Sequence, residues 1–470
     1  MTSPAERIEA ARKAQAAWAA FTPMERARRM RPLRHAIARR LGEIVRLIAD
    51  ETGKPRHDAL TGDVLVTLEH LRLYQRHAPR VLRDRRIPAP LLYFGARFTR
   101  VYEPHGVVLI FAPWNYPLQL AAVPMLTALF AGNAVLLKCS ERTPRVAALI
   151  AELCREAALP EHLVQVSCEP PEQAASLLEA RPDLFFFTGS SRAGRLLQQQ
   201  AAALMIPCVM ELGGNDPALV FASCNFKRTV EGLAYGCFSN SGQVCVGVRR
   251  IYVEQSIYPQ FLPAFLDRIG QLTTADIGHA QPDILSGIQL KSAELVASGA
   301  TIHTSGLATV ITDLPADSVF YREENFGPIV SITPFTGEAE ALNLARVSPL
   351  ALGASVWTGD TQQANRIARA LPAGVASIND AIRSLGNPHA PFGGNNASGF
   401  GRYHGDEGLL TFSRTRTIMA VGQRRPHEIH WLPFPPFLYD LLRRFLFLLH
   451  SKGNPLRRII TALTQKPAKD

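Results

Sequence analysis

Cysteine is scarce and unpatterned in this 470-residue chain: the seven, at 139, 154, 168, 208, 224, 237 and 245, form no CxxC pair and no zinc-type spacing. That excludes a cleanly spaced metal site, and an odd, scattered set reads as reduced thiols in a cytoplasm. The N-terminus, MTSPAERIEA, holds no apolar run of signal-peptide length, so secretion is not expected and Asn396-Ala397-Ser398 reads as a chance sequon. Acidic residues are in deficit, 40 against 51 lysines and arginines, for a net charge of +11. The arginines are spread over helical stretches and not gathered in one block, which argues against a nucleic-acid partner. No internal repeat or low-complexity tract stands out.

What is present is the composition of a soluble globular protein, 47% hydrophobic and 19% charged. A chain of this length buries more surface than one compact core usually holds, so two or three domains are expected. From Ala5 to about Ala78 the pattern is helical, with Trp18, Ile37, Leu41, Ile44, Leu47 and Ile48 on apolar faces and a break at Gly53-Lys54-Pro55. Between Val81 and Arg100 that period is lost, and Pro88, Pro90 and aromatic residues give way to a strand-like run that reads as an arm. An alternation of short apolar strands and helices follows: strand 107–111, helix 118–130, strand 134–137, helix 145–157, strands 163–166 and 184–187, and a helix from Arg192. Buried β-branched and aromatic runs separated by helices predict a parallel sheet covered on both faces, a doubly wound nucleotide-binding architecture. A second strand-helix series runs from near Val209 to about Phe412, and the two α/β domains are expected to meet around Glu211.

Phe185-Phe186-Phe187-Thr188-Gly189-Ser190-Ser191-Arg192-Ala193-Gly194 is an apolar strand ending in a small-residue turn that opens a helix, a place that favours a phosphate. A P-loop is the rival on the spacing of Gly189 and Gly194, but Arg195 and Leu196 stand where Lys and Ser/Thr are required and argue against it; an ordinary strand-to-helix turn remains the plain alternative. Gly399-Phe400-Gly401-Arg402-Tyr403-His404 begins like a dinucleotide fingerprint but has His404 in place of the last glycine, and reads as a loop. Met210-Glu211-Leu212-Gly213-Gly214-Asn215 and Ser239-Asn240-Ser241-Gly242-Gln243-Val244-Cys245 each set one reactive side chain beside small residues that let a backbone approach a ligand.

Read together, these two segments resemble the general-base and active-cysteine signatures of the aldehyde dehydrogenase superfamily. Further matching blocks follow in the family's order: Pro113-Trp114-Asn115-Tyr116-Pro117, Lys138-Cys139-Ser140-Glu141, Phe187-Thr188-Gly189-Ser190, Glu323-Glu324-Asn325-Phe326-Gly327-Pro328, and Pro391-Phe392-Gly393-Gly394 with Ser398-Gly399. The resemblance covers about residues 10 to 420. The short lead before Asn115, the Tyr403-His404-Gly405 run and the tail are similar to the class 3 or fatty-aldehyde branch. Lys138-Cys139 departs from a common Lys-Pro. The stretch from Cys245 to Glu324 is shorter than usual, with Gly306-Leu307-Ala308-Thr309 where more loop is expected, so the resemblance does not fix the shape of the substrate mouth.

The resemblance implies an aldehyde dehydrogenase fold: a doubly wound, Rossmann-like NAD(P)-binding domain over residues 1–80 and 101–210, an α/β catalytic domain over 211–411, and a small β oligomerisation arm from 81–100 and 412–424. It also implies oxidation of an aldehyde, long-chain aliphatic or aromatic, to the acid through a thiohemiacetal and a thioester on Cys245. The oxyanion would be held by the Asn115 amide and the Cys245 backbone N–H, and Glu211 would activate the hydrolytic water, its pKa raised by partial burial. A free thiol is only a few per cent ionised at neutral pH, so Cys245 needs help from neighbouring N–H groups and the nicotinamide charge. Lys138 and Glu141 resemble the pair that meets the adenosine ribose; a carboxylate there favours NAD, with NADP the alternative. Gly189 and Ser190 would meet the pyrophosphate and Glu324 the nicotinamide ribose. Trp114, Leu212, Phe326 and Phe392 would line the cofactor site. For the other six cysteines, inert core is the reading.

Residues 425–470 form a proline-rich and then apolar tail, in which Phe437 to Leu449 is too short to span a bilayer. It suits a membrane interface, with Arg443, Arg444, Lys452, Arg457 and Arg458 at anionic headgroups, or a helix packed on the enzyme or its dimer mate. The expected partners are thus a small-molecule aldehyde, a second subunit and, peripherally, the inner face of a membrane. Two other classes stay open: a CoA-acylating or other Cys-dependent acyl transfer enzyme, and a non-catalytic binding protein on the same fold.

Overall fold

In this computed structural model the described residues are 3–90, 93, 95–423, 426–428 and 430–464. Positions 91, 92 and 94 of the expected arm, and 424, 425, 429 and 465–470 around and within the expected tail, lie outside them. The chain divides into two units, residues 1–84 with 101–416, and residues 85–100 with 417–470.

The first strands in chain order are β1 (Arg85–Ile87) and β2 (Ala96–Pro104), an antiparallel pair. Then come β3 (Val107–Phe111), β4 (Ala134–Lys138), β5 (Val164–Ser167), β6 (Leu184–Thr188) and β7 (Cys208–Glu211). β3, β4 and most of β6 and β7 are buried, as their unbroken apolar runs require, and the five pair in parallel in the order β7-β6-β3-β4-β5. The chain adds strands on one side of β3 and then on the other, so a topological switch point lies between β3 and β6, with a crevice at their carboxyl ends. Helix Gln119–Ala131, which follows β3, is buried at every residue. The N-terminal helix Pro4–Ala19 starts from a Ser3/Glu6 capping box, and Gly53 ends helix Leu41–Thr52 in the left-handed conformation at φ 75°, the break read from the sequence.

The second sheet holds β8 (Asp216–Val220), β9 (Val248–Glu254), β10 (Thr301–Ser305), β11 (Ala308–Thr312) and β12 (Ile329–Phe335). β13 (Leu350–Ala351) stands apart, and β14 (Gly353–Trp357) and β15 (Val375–Ile378) complete the order β10-β11-β12-β9-β8-β14-β15. The unusual glycine-leucine stretch is the two-residue turn of the β10–β11 hairpin. Helices Tyr258–Gly270 and Pro282–Ala297 fill most of the chain between β9 and β10.

β16 (Asn395–Asn396) pairs with β13, and β17 (Gly399–Phe400) joins β7 antiparallel, Gly399 opposite Glu211. The segment expected to be a loop within the catalytic domain therefore begins as an edge strand of the first sheet. Gly399, at φ 111°, lets that happen, because a Cβ there would lie 1.9 Å from the Met210 carbonyl oxygen. β18 (Ser413–Val421) follows in a three-stranded sheet ordered β1-β2-β18 and is exposed beyond its first residue. In the second unit, helices Leu438–His450 and Pro455–Thr464 pack on each other.

Candidate active site

The switch-point crevice is real: a mostly apolar cleft of about 450 Å³ opens at the carboxyl ends of β3, β4, β6 and β7. All twelve residues singled out from the sequence line it: Trp114, Asn115, Lys138, Glu141, Gly189, Ser190, Glu211, Leu212, Cys245, Glu324, Phe326 and Phe392. Sheet register explains the convergence. Phe111 pairs with Lys138, Phe187 with Met210 and Thr188 with Glu211, so the loops leaving these strands start side by side.

Glu211 ends β7, and its backbone carbonyl accepts the Gly189 N–H at 3.0 Å, tying the small-residue turn to the carboxylate's strand. The residue is 4% exposed, and neither carboxyl oxygen has a hydrogen-bond partner. Burial, opposed only by Arg402, pushes its pKa well above the carboxylate range, so burial is complete where partial burial was expected. A Cβ on Gly393 would sit 2.9 Å from Glu211 Oε1, so the glycine leaves room for the carboxyl.

Cys245 lies on the loop between the short 3₁₀ turn Ser239–Gly242 and β9. Asn240 and Ser241 are both left-handed at φ 51°, and Gly242, at φ 69°, packs where a Cβ would strike the Gly327 carbonyl oxygen at 2.1 Å. Strain of this kind persists only where the surroundings overdetermine it. Here Arg249, 1% exposed, donates to the carbonyls of Cys237 at 3.0 Å and Val244 at 3.2 Å and also to that of Gly242. The surroundings hold the thiol above its usual range: burial first, then the carboxyls of Asp216, Glu324 and Glu211, push it up to about 12, with the Val246 N–H opposing.

Asn115 reaches the same place from the loop after β3. Its Nδ2 donates to the Gln243 carbonyl at 3.0 Å, and its own carbonyl accepts from Asn240 Nδ2 at 3.2 Å. Two stretches more than a hundred residues apart are thereby locked two residues from Cys245. One of the two Asn115 amide hydrogens is committed to Gln243, which leaves the other for a second acceptor.

The rest of the cleft fits a dinucleotide. Ser190 caps helix Ser191–Ala203 by accepting from Ala193 N–H, while Thr188 Oγ1 and Ser191 Oγ are buried without partners at this helix start. Such orphans beside a helix N-terminus suit an anionic ligand. Lys138 Nζ pairs with Glu141 at 3.0 Å, which leaves the Glu141 carboxyl 40% exposed at the cleft. Glu324 lies against Gly213, where a Cβ would be 2.1 Å from its Oε2, and burial raises its pKa to about 7. Phe326 and Trp114 meet edge to face at 6.1 Å, and Arg142 covers Trp114 at 5.4 Å while paired with Asp283. Phe392 is bridged to Tyr403, whose ring is 5.7 Å away.

Several residues within or beside the motif blocks, to which the sequence assigned no role, hold the site together. Ser398 Oγ donates to the Gly213 carbonyl at 2.8 Å and accepts the Ala351 N–H at 2.8 Å, pinning the Leu212-Gly213 turn. Asp216 is 3% exposed with its pKa raised to about 7 by burial, and its Oδ1 has no partner. Asn240 N–H donates to Asp58 Oδ2 at 3.1 Å. Only Arg249 left a legible signal, since two arginines inside the apolar run of β9 are costly unless they hold something.

A sequence model described as "Aldehyde dehydrogenase family" matches residues 4–418. A 4,4'-diapolycopene aldehyde oxidase of Methylomonas sp is 38% identical over 467 residues, 96% of this chain and 88% of that protein. A putative NADP(+) succinate-semialdehyde dehydrogenase 2 of Mycobacterium ulcerans (strain Agy99) is 34% identical, over 89% of this chain and 85% of its own. Among solved structures, an aldehyde dehydrogenase of Mycobacterium tuberculosis complexed with NAD+ superposes with a TM-score of 0.83 at 28% identity, covering 89% of this chain and 90% of that one.

Proposed function

The chain belongs to the aldehyde dehydrogenase family, NAD(P)-dependent enzymes that oxidise aldehydes, and from that premise we propose that Cys245, Glu211 and Asn115 convert a long apolar aldehyde to its acid. The observation that carries this reading is the shared cleft: a sulfur, a buried carboxyl without partners and an amide from three distant stretches all face it.

Cys245 Sγ adds to the carbonyl carbon, and its proton leaves to solvent or to a neighbouring carboxyl. The new alkoxide takes hydrogen bonds from Asn115 Nδ2 and the Cys245 backbone N–H, two donors already fixed before the charge develops. A nicotinamide dinucleotide, when bound, supplies the hydride acceptor that turns the sulfur adduct into a thioester. Glu211 then takes a proton from water as that water attacks the thioester carbon, releasing the acid and restoring the thiol. Lys138 and Glu141 would hold the adenosine ribose, Gly189 and Ser190 the pyrophosphate, and Glu324 the nicotinamide ribose. Trp114, Leu212, Phe326 and Phe392 would flank them. The exposed Glu141 carboxyl repels a 2′-phosphate and favours NAD over NADP.

The apolar lining and the diapolycopene aldehyde in the name of one relative support a long hydrophobic substrate, in keeping with the class 3 or fatty-aldehyde branch; the succinate semialdehyde of another relative is the contrasting case. β1, β2 and β18 are assigned to subunit pairing in a homodimer. The test is a panel of straight-chain aldehydes of increasing length, with succinate semialdehyde as the acidic arm, each with NAD and NADP and with and without CoA. Specificity should climb with chain length, favour NAD and ignore CoA. Dependence of NADH formation on CoA would replace hydrolysis by acyl transfer, and preference for the acidic substrate would overturn the apolar assignment.

A further inference from the structure

Residues 431–464 expose what a globular surface normally hides. Helix Leu438–His450, taken at about 100° per residue, gathers Asp440, Arg443, Arg444 and His450 on one side. Tyr439, Leu441, Leu446 and Leu449 occupy the rest and are 65%, 53%, 46% and 53% exposed. In helix Pro455–Thr464, Leu456, Ile459, Ile460 and Leu463 share one arc and are between 45% and 69% exposed. Arg457 and Arg458 lie outside that arc, and Ala462 is buried. Ahead of both helices, Trp431, Phe434 and Phe437 are each at least half exposed. Five basic residues, Arg443, Arg444, Lys452, Arg457 and Arg458, stand against one acidic residue, Asp440.

We propose that this helical pair is an interfacial docking module that lies in the plane of an anionic lipid surface. Helices of 13 and 10 residues are about 20 and 15 Å long, short of a hydrocarbon core of about 30 Å. No helix among the described residues is long and apolar enough to cross a membrane. A lipid surface accepts two aliphatic arcs without a shaped complement, and aromatic residues such as Trp431 and Tyr439 settle at the headgroup level. The surplus of arginine and lysine selects negative headgroups. This inference stands apart from the chemistry of the cleft and survives or fails without it.

The experiment uses the full-length chain and vesicles of phosphatidylcholine, alone or mixed with phosphatidylglycerol. Co-sedimentation should occur with the mixed vesicles and reverse at high salt, and a blue shift of tryptophan emission should accompany it and vanish in Trp431→Phe. Arg457→Glu with Arg458→Glu should weaken binding about tenfold or more. Leu446→Asp with Leu463→Asp should abolish it, while oxidation of a water-soluble aldehyde stays unchanged and reports an intact fold. Failure of the full chain to bind mixed vesicles, or equal binding by the chain and both variants, overturns the proposal. If the chain does not bind and Leu446→Asp with Leu463→Asp also lowers the mass measured by light scattering, the apolar face belongs to a second copy.

Discussion

In the cleft, the Glu211 carboxyl is buried without a hydrogen-bond partner and Glu324 is held against Gly213, and burial raises the pKa of both and of the Cys245 thiol beside them. In residues 431–464 the opposite exchange occurs: leucine, isoleucine and aromatic side chains face outward among arginines. Both arrangements cost free energy in an isolated folded chain, by burying polar groups in one case and by leaving apolar area in water in the other. Each becomes favourable only when something else arrives. For the cleft, bound substrate and cofactor would give the buried groups partners; for the tail, the proposed lipid surface would take up the exposed arcs. The difference lies in tolerance. Buried groups act through fixed geometry, whereas an exposed arc acts through its sum.

That comparison breaks first at Glu211. Glu211→Gln should keep a rapid first turnover of NADH but lower the steady-state rate about 10²–10⁴-fold, because thioester hydrolysis loses its base. A rapid-quench experiment that finds no burst, or an unchanged steady-state rate, removes Glu211 from the role. Next in size is Asn115→Ala, which should cost about 10²–10³ in kcat and leave cofactor affinity near that of the parent. Cofactor titration against kcat separates this from general damage to the loop.

The pH profile sharpens the contrast. Burial raises the pKa of Glu211 well above the carboxylate range and that of Cys245 to about 12, so the reactive form of each grows as pH rises. The rate should therefore increase from pH 7 upward, and Glu211→Gln should remove part of that dependence from the hydrolytic step. A rate that is flat from pH 6 to 9 would contradict the buried environment assigned to both groups. The smallest effect is expected in the tail: Leu446→Asp, at a side chain 46% exposed, should change the free energy of unfolding by less than about 0.5 kcal/mol. A larger loss in chemical denaturation would mean that the exposed arc is buried in solution.

Much of the first sheet was legible, because β3, β4 and β6 are unbroken apolar runs and helix Gln119–Ala131 lies between two of them; the expected limits agree to within a residue. The motif blocks were legible for another reason: each carries its small residues and a cleft-lining side chain within a few positions, and each sends at least one residue to the same cleft. β17 was missed because a two-residue strand has no period of its own; it exists only because Gly399 allows close approach to Met210. A π-helical stretch, Ala59–Leu65, was equally invisible: Asp63 there pairs with Lys54 at 2.9 Å, and Gly62 makes room for the Tyr116 ring.

The sequence by itself determined the doubly wound first sheet, the nature of the reactive groups and the amphipathic tail, since strand burial, residue chemistry and helical period are all local. Tertiary structure alone decided how late those groups ionise and what holds them. Arg249, Ser398, Asn240 and Asp216 matter through contacts with residues that are distant in the chain or turned back on a strained loop. The carboxyl at position 211 gains its raised pKa only when folding buries it and offers no hydrogen bond in return.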